Sequence, residues 1–576
     1  MNDSGKNILG IWDGHDSGAA LMQDGRLVCA VNEERLTRRK LEIAFPRQSI
    51  LACLRQGQIE PDQVHRVVGC TTDPAKTIAR LWPASKERYY RLRRRLAAPS
   101  PLDPLTRWAK YHLTEWPGNP ATRWLSTLAL KRDLKPLGLA HRPLTLFDHH
   151  RCHAAAAAHG LGLDETLVIT LDGVGDGRSG SMHRFHQGQL TPIASIAARN
   201  SAGIFFEQVT NLLHLRELED EGKVMALADY APLIQPENNP LRDWIQVSGV
   251  DFQARHHASG QLRQLRRLFW HQACEPFAAM AQQALEHWVV TLVTNALQAT
   301  GAKRLALAGG VFANVRLNGR IRALPGVEVC HVFPHMGDGG LAVGAVCLAG
   351  SPRTDWLTDL HLGPEQTPET IARAVKNSGL PHRHLTDPVA EAARLLTAGR
   401  IVGWFQGRME YGPRALGGRS VLARPDLPGI RDTLNLRLKK RAWYQPFCPA
   451  MRDSEAARLL ADHHGPPNRC MTSLYHVRPE FQNALAGVIG PNGTCRPQMV
   501  ADDAPGPFAA LLAAMQESTG FGVLLNTSFN PHGAPLVNTP QEALSAFQTM
   551  GLDHLVMGEW VVDGAVIWQN STILLG

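Results

Sequence analysis

Residues Glu165–Ile196, "ETLVITLDGVGDGRSGSMHRFHQGQLTPIASI", decide how the whole chain is read. The run from Thr166 to Leu171 is apolar and β-branched, "LDG" and "GDG" mark turns, and alternation resumes at "SMHRFH" before another Gly-containing turn and a third strand. Gly175, Gly177 and Gly180 formally spell G-x-G-x-x-G. A dinucleotide loop of that kind must open a helix whose N-terminus faces the pyrophosphate. Here a strand follows, so a dinucleotide fold fails on context. A related unit stands near the start. "NILGIWDGHDSGAALMQDGRLVCAVNEERL" (Asn7–Leu36) reads as a strand, a turn at Asp13-Gly14, a strand over Ala19–Met22, a turn at Asp24-Gly25, and a strand over Leu27–Val31.

Two copies of one acidic, glycine-turned hairpin unit predict a duplicated half-domain. The arrangement resembles the actin/hexokinase-like (ASKHA) α/β class, in which two such hairpins face a nucleotide across a cleft. A long apolar-striped helix over Ala278–Thr300 should stop at Gly301. "RLALAGGVFANVRLNGRI" predicts a buried strand, a break at Gly309-Gly310 and a helix from about Val311, a usual place for a phosphate or nucleoside. Near residue 355 the texture turns to Pro, Thr and Asp. The expected domains are 1–354 and 355–576, the second a separate α/β unit with signals at Ile401–Phe405, Gly522–Leu525 and Gln541–Met550.

Composition bounds the rest. The chain has 576 residues, 44% hydrophobic and 19% charged, an ordinary globular protein of two to four domains. No signal-peptide pattern and no apolar run of membrane-spanning length is visible, so no membrane is expected. Ten cysteines without a C-x-x-C pair point to reduced thiols and a cytoplasmic home. The net charge of +8 is concentrated: Trp82–Asp133 holds eleven Lys/Arg against four Asp/Glu. We read this as a helical insertion with a solvated basic face; a pocket edge for an anionic substrate, or RNA stacking on its aromatics, are the alternatives.

"DHHRCHAAAAAHG" (Asp148–Gly160) sets His149 and His153 four apart, after a capping aspartate and before a helix-forming alanine run. On a helix these rings share one face and can grip one ion; capping or core histidines are the bland alternative. His331 and His335 have the same spacing, but Pro334 and a strand end keep them off a common helical face. A carboxylate from an acidic Gly turn should complete the set, Asp172 in "TLDGVGDG" or Asp338 in "HMGDGGLAVG", unless these are plain turn aspartates. Two His with one or two Asp suit Fe(II), Mn(II) or Zn(II) without choosing among them. In the later half, "GRMEYGPRALGGRSVLARP" sets Arg414 and Arg419 among Gly and Pro. Lys439 and Arg441, and Ser528 and Asn530, are two apart, a spacing that on strands aims both members at one face. Such donors suit a phosphate or acyl phosphate.

With these residues in view, the chain resembles the O-carbamoyltransferase family of nodulation and antibiotic-tailoring enzymes. The resemblance rests on "GHDSGAAL", "NEERLTRRK", "FDHHRCHAAAA", "DEGKVMALA", "AGGVFANVRLN", "HMGDGGLAVGA", "GRMEYGPRALGGRS", "LKKRAWYQPFCPAM" and "NTSFNPHGAPLV", nine motifs in family order across nearly the whole chain. It implies an N-terminal domain similar to the tRNA threonylcarbamoyl-transferring proteins and a YrdC-like C-terminal domain. The latter would take carbamoyl phosphate and ATP, with Mg2+, to carbamoyl-adenylate through Arg414, Arg419, Lys439, Arg441, Ser528 and Asn530. The former would pass the carbamoyl group to a small-molecule alcohol beside iron held by His149, His153, Asp338 and Asp172. The resemblance further implies an acceptor site at Asp13, His15 and Lys40, His15 being a base of near-neutral pKa. Lys223 and Asn314 would lie nearby, with Gly309 and Gly310 toward the nucleotide. Nucleic acid is not expected as a partner. A tRNA-modifying transferase or RNA-binding protein, and an ASKHA-type small-molecule kinase, are the rival readings.

Overall fold

The computed structural model describes residues 6–98, 100–101, 103–160, 164–350, 352 and 359–564. Its contacts divide the chain into two units, Met1–Thr37 with Leu41–Asp359, and Arg38–Lys40 with Leu360–Gly576. The boundary expected near residue 355 lies outside the described residues.

The first unit is a duplicated α/β fold. Strands β1 (Asn7–Trp12), β2 (Gly18–Gln23), β3 (Arg26–Asn32), β4 (Arg66–Cys70) and β5 (Leu144–Phe147) form a sheet in the order β3-β2-β1-β4-β5. The second half repeats it with β6 (Thr166–Gly175), β7 (Arg178–His186) and β8 (Gln189–Ala197). After a small ribbon, β9 (Ile245–Ser248) and β10 (Asp251–Ala254), come β11 (Arg304–Ala308) and β12 (Val329–Val332), giving the order β12-β11-β6-β7-β8. In both sheets the hairpin strands pair antiparallel and the later pair is added parallel. Two equivalent five-stranded sheets make the actin/hexokinase-like class a property of the topology.

Each sheet carries one helix on its inner side, Leu341–Ala349 on the first and His149–His159 on the second, and these helices pack on each other. Small residues permit the approach. A Cβ at Gly344 would lie 1.9 Å from the Cys152 carbonyl oxygen, and Ala154–Ala158 are all at most 1% exposed. Cys152, fully buried here, is packing, and burial pushes its thiol up. Asp148 caps the His149–His159 helix by accepting from the Arg151 N–H at 2.9 Å, and Gly301 ends the helix Cys274–Thr300 in the left-handed region. Helix formation after Gly309-Gly310 starts later than expected: a single 3-10 turn spans Gly310–Ala313 and the α-helix begins at Val315.

The basic segment is helical, with Pro83–Arg93, Asp103–Thr114 and Pro120–Leu134. Its face is not uniformly solvated, which corrects the sequence reading. Arg88 and Arg91 are 51% and 55% exposed, whereas Arg93 and Arg94 are 10% and 9% exposed and reach Glu207 on the helix Ala202–Leu212 and Glu217 and Glu219 in the turns that follow it. Composition fixed the charge excess, but only packing decided which arginines turn inward. Among the described residues no helix is long and apolar enough to cross a membrane.

The second unit is a three-layer α/β structure. Its strands are β13 (His382–His384), β14 (Val402–Phe405), β15 (Arg419–Ala423), β16 (Cys448–Arg452), β19 (Gln498–Val500), β20 (Val523–Ser528), β21 (His554–Met557) and β22 (Trp560–Asp563), with a ribbon of β17 (Tyr475–His476) and β18 (Thr494–Cys495) between β16 and β19 in the chain. The sheet order is β13-β22-β21-β14-β15-β20-β16-β19. Period-two alternation sorts the central strands onto two cores. Trp404, Leu422, Leu524 and Val556 pack with the helices Pro388–Thr397 and Pro507–Thr519; Phe405, Val421, Leu525 and Leu555 pack with Pro368–Lys376 and Pro540–Met550.

Candidate active site

The duplicated unit brings four side chains from three segments to one point. His149 and His153, one turn apart on their helix, meet Asp172 from the end of the apolar part of β6 and Asp338 from the Gly-rich turn before Leu341. His149 Nε2 lies 3.1 Å from Asp172 Oδ2 and 3.6 Å from Asp338 Oδ1; His153 Nε2 lies 3.7 and 3.6 Å from the same atoms. One ligand atom from each of the four falls within 4.8 Å of the others. Their neighbours fix the orientation. Thr71 Oγ1 sits 3.1 Å from His149 Nδ1, and the Gly310 N–H donates to Asp172 Oδ1 at 2.9 Å. The Gly309-Gly310 break therefore serves this carboxylate. Gly309 has φ +100°, a Cβ there would lie 2.1 Å from the Leu171 carbonyl oxygen, and one on Gly310 would lie 2.8 Å from Asp172 Oδ1.

The electrostatics suit a cation. Burial would raise the Asp172 carboxyl, but the hydrogen bond from His149 and the charge of His149 and His153 hold it well below the usual carboxylate range. Burial lowers His149, yet Asp172 and Asp338 push it up to about 10, so a proton stands where positive charge is wanted. His153 Nε2 is buried with no hydrogen-bond partner. Two imidazoles, two carboxylates and an orphaned ring nitrogen at one point form a donor set that fits a divalent ion. His150, between the two, faces elsewhere: it contacts Thr170 Oγ1 at 2.9 Å and the Arg178 carbonyl at 3.1 Å.

Asp13 and His15, expected in the acceptor site, have distinct surroundings. Asp13 is buried and receives a two-pronged bond from Arg80 Nε and Nη2, each at 2.9 Å, with Lys76 Nζ also at 2.9 Å. Deleting one partner of such a pair costs about 3–5 kcal/mol, so Asp13 anchors the first turn to the helix Pro74–Leu81. Lys86 donates to its carbonyl oxygen. His15 stacks on Tyr90, with ring centres 5.5 Å apart at 25°, and its Nε2 is buried without a partner. Burial together with Arg94 and Arg93 pushes the His15 ring down to about 3, which corrects the near-neutral expectation. Lys40 clusters by its contacts with the second unit rather than with Asp13 and His15. Asn314 caps the helix Val315–Arg322 and exchanges two amide bonds with Gln282, at 2.7 and 3.0 Å, while Lys223 pairs with Asp220 at 2.8 Å.

In the second unit, the expected residues separate into two kinds. Arg419 is wholly buried and donates to the carbonyls of Gln406, Gly407 and Gly418, while Glu410 Oε1 accepts the N–H groups of Leu416, Gly418 and Arg419. Arg419 thus holds the Gly-rich loop together instead of facing an anion. Lys439 and Arg441 do not lie on a strand, correcting the sequence reading: a π-helical turn over Thr433–Leu438 leads into them, and Lys440 has φ +48°. This turn still brings Lys439 to the Ser528–Asn530 segment. Its Nζ donates to the Asn530 carbonyl at 2.9 Å, to Asn530 Oδ1 at 3.1 Å and to the Ser528 carbonyl. Arg441 bonds Asn435 Oδ1 at 2.7 Å and lies over the Phe447 ring.

Sequence reasoning missed Arg496. Its Nε and Nη2 lie 3.1 and 2.9 Å from Cys448 Sγ, and burial, with the charge of Arg496 added, pushes Arg414 down to about 9 and Arg441 to about 10. Among the described residues no carboxylate pairs with Arg414, Arg441 or Arg496. Its signal was weak, one arginine before a proline in "GTCRPQMV". Arg414 and Arg441, each repelled by Arg496 and without a carboxylate partner, suit an anion. Also missed were Thr71, Tyr90 and Lys110.

Family models described as carbamoyltransferase N-terminus and carbamoyltransferase C-terminus match residues 7–347 and 393–563. Nodulation protein NolO of Bradyrhizobium diazoefficiens is 31% identical over 434 residues, 72% of this chain and 78% of its own. Nodulation protein NolNO of Sinorhizobium fredii is 29% identical over 570 residues, 95% of this chain and 79% of its own. Among solved structures, HypF of T. kodakarensis aligns with a TM-score of 0.33 and 15% identity over 62% of this chain and 50% of that one, too slight a likeness to bear on function.

Proposed function

The chain belongs to the carbamoyltransferase family, and from that premise we propose that it is an ATP-dependent O-carbamoyltransferase acting on a small-molecule alcohol. The reading rests above all on the convergence of His149, His153, Asp172 and Asp338. A divalent ion held by these four, Fe(II) by family resemblance, would supply a Lewis acid for charge developing on the carbamoyl carbonyl.

The second unit forms the donor. Water displaces inorganic phosphate from carbamoyl phosphate, and an oxygen of the resulting carbamate attacks the α-phosphorus of ATP, so that carbamoyl-adenylate forms and pyrophosphate leaves; Arg414, Arg441 and Arg496 neutralise these anions, and Lys439 fixes the Ser528–Asn530 segment beside them. In the first unit the acceptor oxygen attacks the carbamoyl carbon, the bond to the adenylate oxygen breaks, and AMP departs with the electron pair. His15, neutral throughout the working pH range, offers its unpartnered Nε2 to the acceptor O–H when its proton sits on Nδ1, orienting the nucleophile. Asp13, bound to Arg80 and Lys76, keeps that turn in place.

The test is direct. Protein with ATP and carbamoyl phosphate should release pyrophosphate before any alcohol is added, and a productive alcohol should gain a carbamoyl group by mass. Phosphoryl transfer to a sugar without pyrophosphate would replace the reading with a kinase. The RNA alternative loses its main support once Arg93 and Arg94 turn inward; it would regain it if tRNA bound with a steep salt dependence.

A further inference from the structure

The insertion helices place side chains beside His15 that the proposed chemistry leaves without a task. Tyr90 stacks on His15 and meets Tyr89 edge-on at 5.4 Å. Lys110, from the helix Asp103–Thr114, sets its ammonium 3.6 Å from the Tyr89 ring centre and 4.6 Å from that of Tyr90. The Tyr90 ring is therefore a neighbour of both Lys110 and His15. Among the described residues the Lys110 ammonium has no ion pair and no hydrogen bond. Of the acids around it, Glu207 pairs with Arg93, Glu217 with Arg93 and Arg107, and Glu219 with Arg94, while Asp73 accepts the Lys76 N–H as a helix cap and reaches Lys110 by charge without an ion pair. Asp13, the acid on the other side, faces Lys76 and Arg80, with Lys86 on its carbonyl. Two aromatic faces offset part of the cost of desolvating an ammonium, but they accept none of its three N–H bonds. In keeping with this, burial and the charge of Arg93 push Lys110 down to about 7, a strain that a bound anion would relieve.

We propose that Lys110, held against Tyr89 and Tyr90, selects the acceptor by binding an anionic oxygen (a carboxylate, sulfate or phosphate) on the same molecule whose hydroxyl is carbamoylated. The assignment rests on the reading of His15 as lining the acceptor site. It makes the acceptor an acidic alcohol, such as an acidic sugar, and excludes a cationic group at this subsite, which would meet the Lys110 ammonium with like charge.

The experiment uses the full chain and alcohols matched in pairs that differ by one acidic group: glucose and glucuronate, N-acetylglucosamine and its 6-sulfate, glycerol and glycerate, with glucosamine as the cationic control. Each is scored for carbamoyl gain and for how far it slows acetylation of Lys110 by acetic anhydride, read by peptide mass spectrometry. The acidic member of at least one pair should protect Lys110 tenfold or more better than its neutral partner. Among whichever alcohols react, the acidic one should have the lower KM; Lys110→Met should erase that preference and Lys110→Arg retain it. Equal protection by neutral or cationic members, protection by none, or an unchanged preference in Lys110→Met overturns the assignment. Pyrophosphate release by the unaltered protein separates the two failures: if release persists without the preference, only the role of Lys110 falls; if release is missing, the proposed function falls while the protection data still decide the anion subsite.

Discussion

The two units answer opposite electrostatic problems. In the duplicated unit, two carboxylates and two imidazoles crowd together with His149 pushed up to about 10. In the second, Arg414, Arg441 and Arg496 crowd together with no carboxylate, and two of them are depressed. One gathers donors that suit a cation, the other guanidiniums that suit an anion. The contrast teaches that uncompensated buried charge, rather than burial or polarity alone, distinguishes a ligand site from a structural ion pair. Asp13 with Arg80, equally buried and fully paired, is the structural case.

The contrast can be broken at several points. The largest effect should come from Asp172→Asn or His153→Ala, which ought to lose the bound metal and slow carbamoyl transfer on the order of 10³-fold. Pyrophosphate release should continue, and metal analysis together with both partial reactions checks this. A variant that keeps full transfer without metal would remove the cation half of the comparison. Next, Arg496→Ala should slow pyrophosphate release by about 10²-fold while leaving metal content untouched; an unchanged rate would show that the arginine cluster is not the donor site. Thr71→Val, which takes away the partner of His149 Nδ1, should weaken metal affinity by about 10–100-fold without unfolding the protein, measured by competition with a chelator.

The smallest effect is on stability. Burial lowers His15 and His150 to about 3, and His159, His183 and His331 to about 4. Each takes up its proton more readily when unfolded. Stability should therefore fall as pH drops below the ordinary histidine value of 6.5, and the fall from these groups should level off near 3. Denaturant midpoints across that window test it. A flat profile would mean that these rings are not buried as described.

Much was legible in the chain itself. The acidic glycine signals announced a duplicated unit because turn chemistry and strand alternation are local properties, although the turn expected at Asp172-Gly173 lies inside the irregular end of β6 and the chain reverses at Asp176-Gly177. His149 and His153 were legible because a capping aspartate and an alanine run set them on one helical face. Errors fell where local pattern yields to packing. Lys439 and Arg441 looked like strand neighbours, but a π-helical turn and a left-handed Lys440 deliver the lysine to Ser528 and Asn530. Arg419 looked like an anion ligand among glycines, yet its Nη1 and Nη2 groups are spent on backbone carbonyls of the loop, with only Nε left without a partner.

The sequence by itself determined the elements, the repeat and the helical histidine pair, since these depend on spacings of a few residues. Tertiary structure alone decided that Asp172 and Asp338 meet that pair, that Arg496 joins two distant arginines, and that Lys110 stands on two tyrosines without a carboxylate. Those outcomes depend on which charges survive unpaired once every strand and helix has found its neighbour, and short-range spacing carries no record of that.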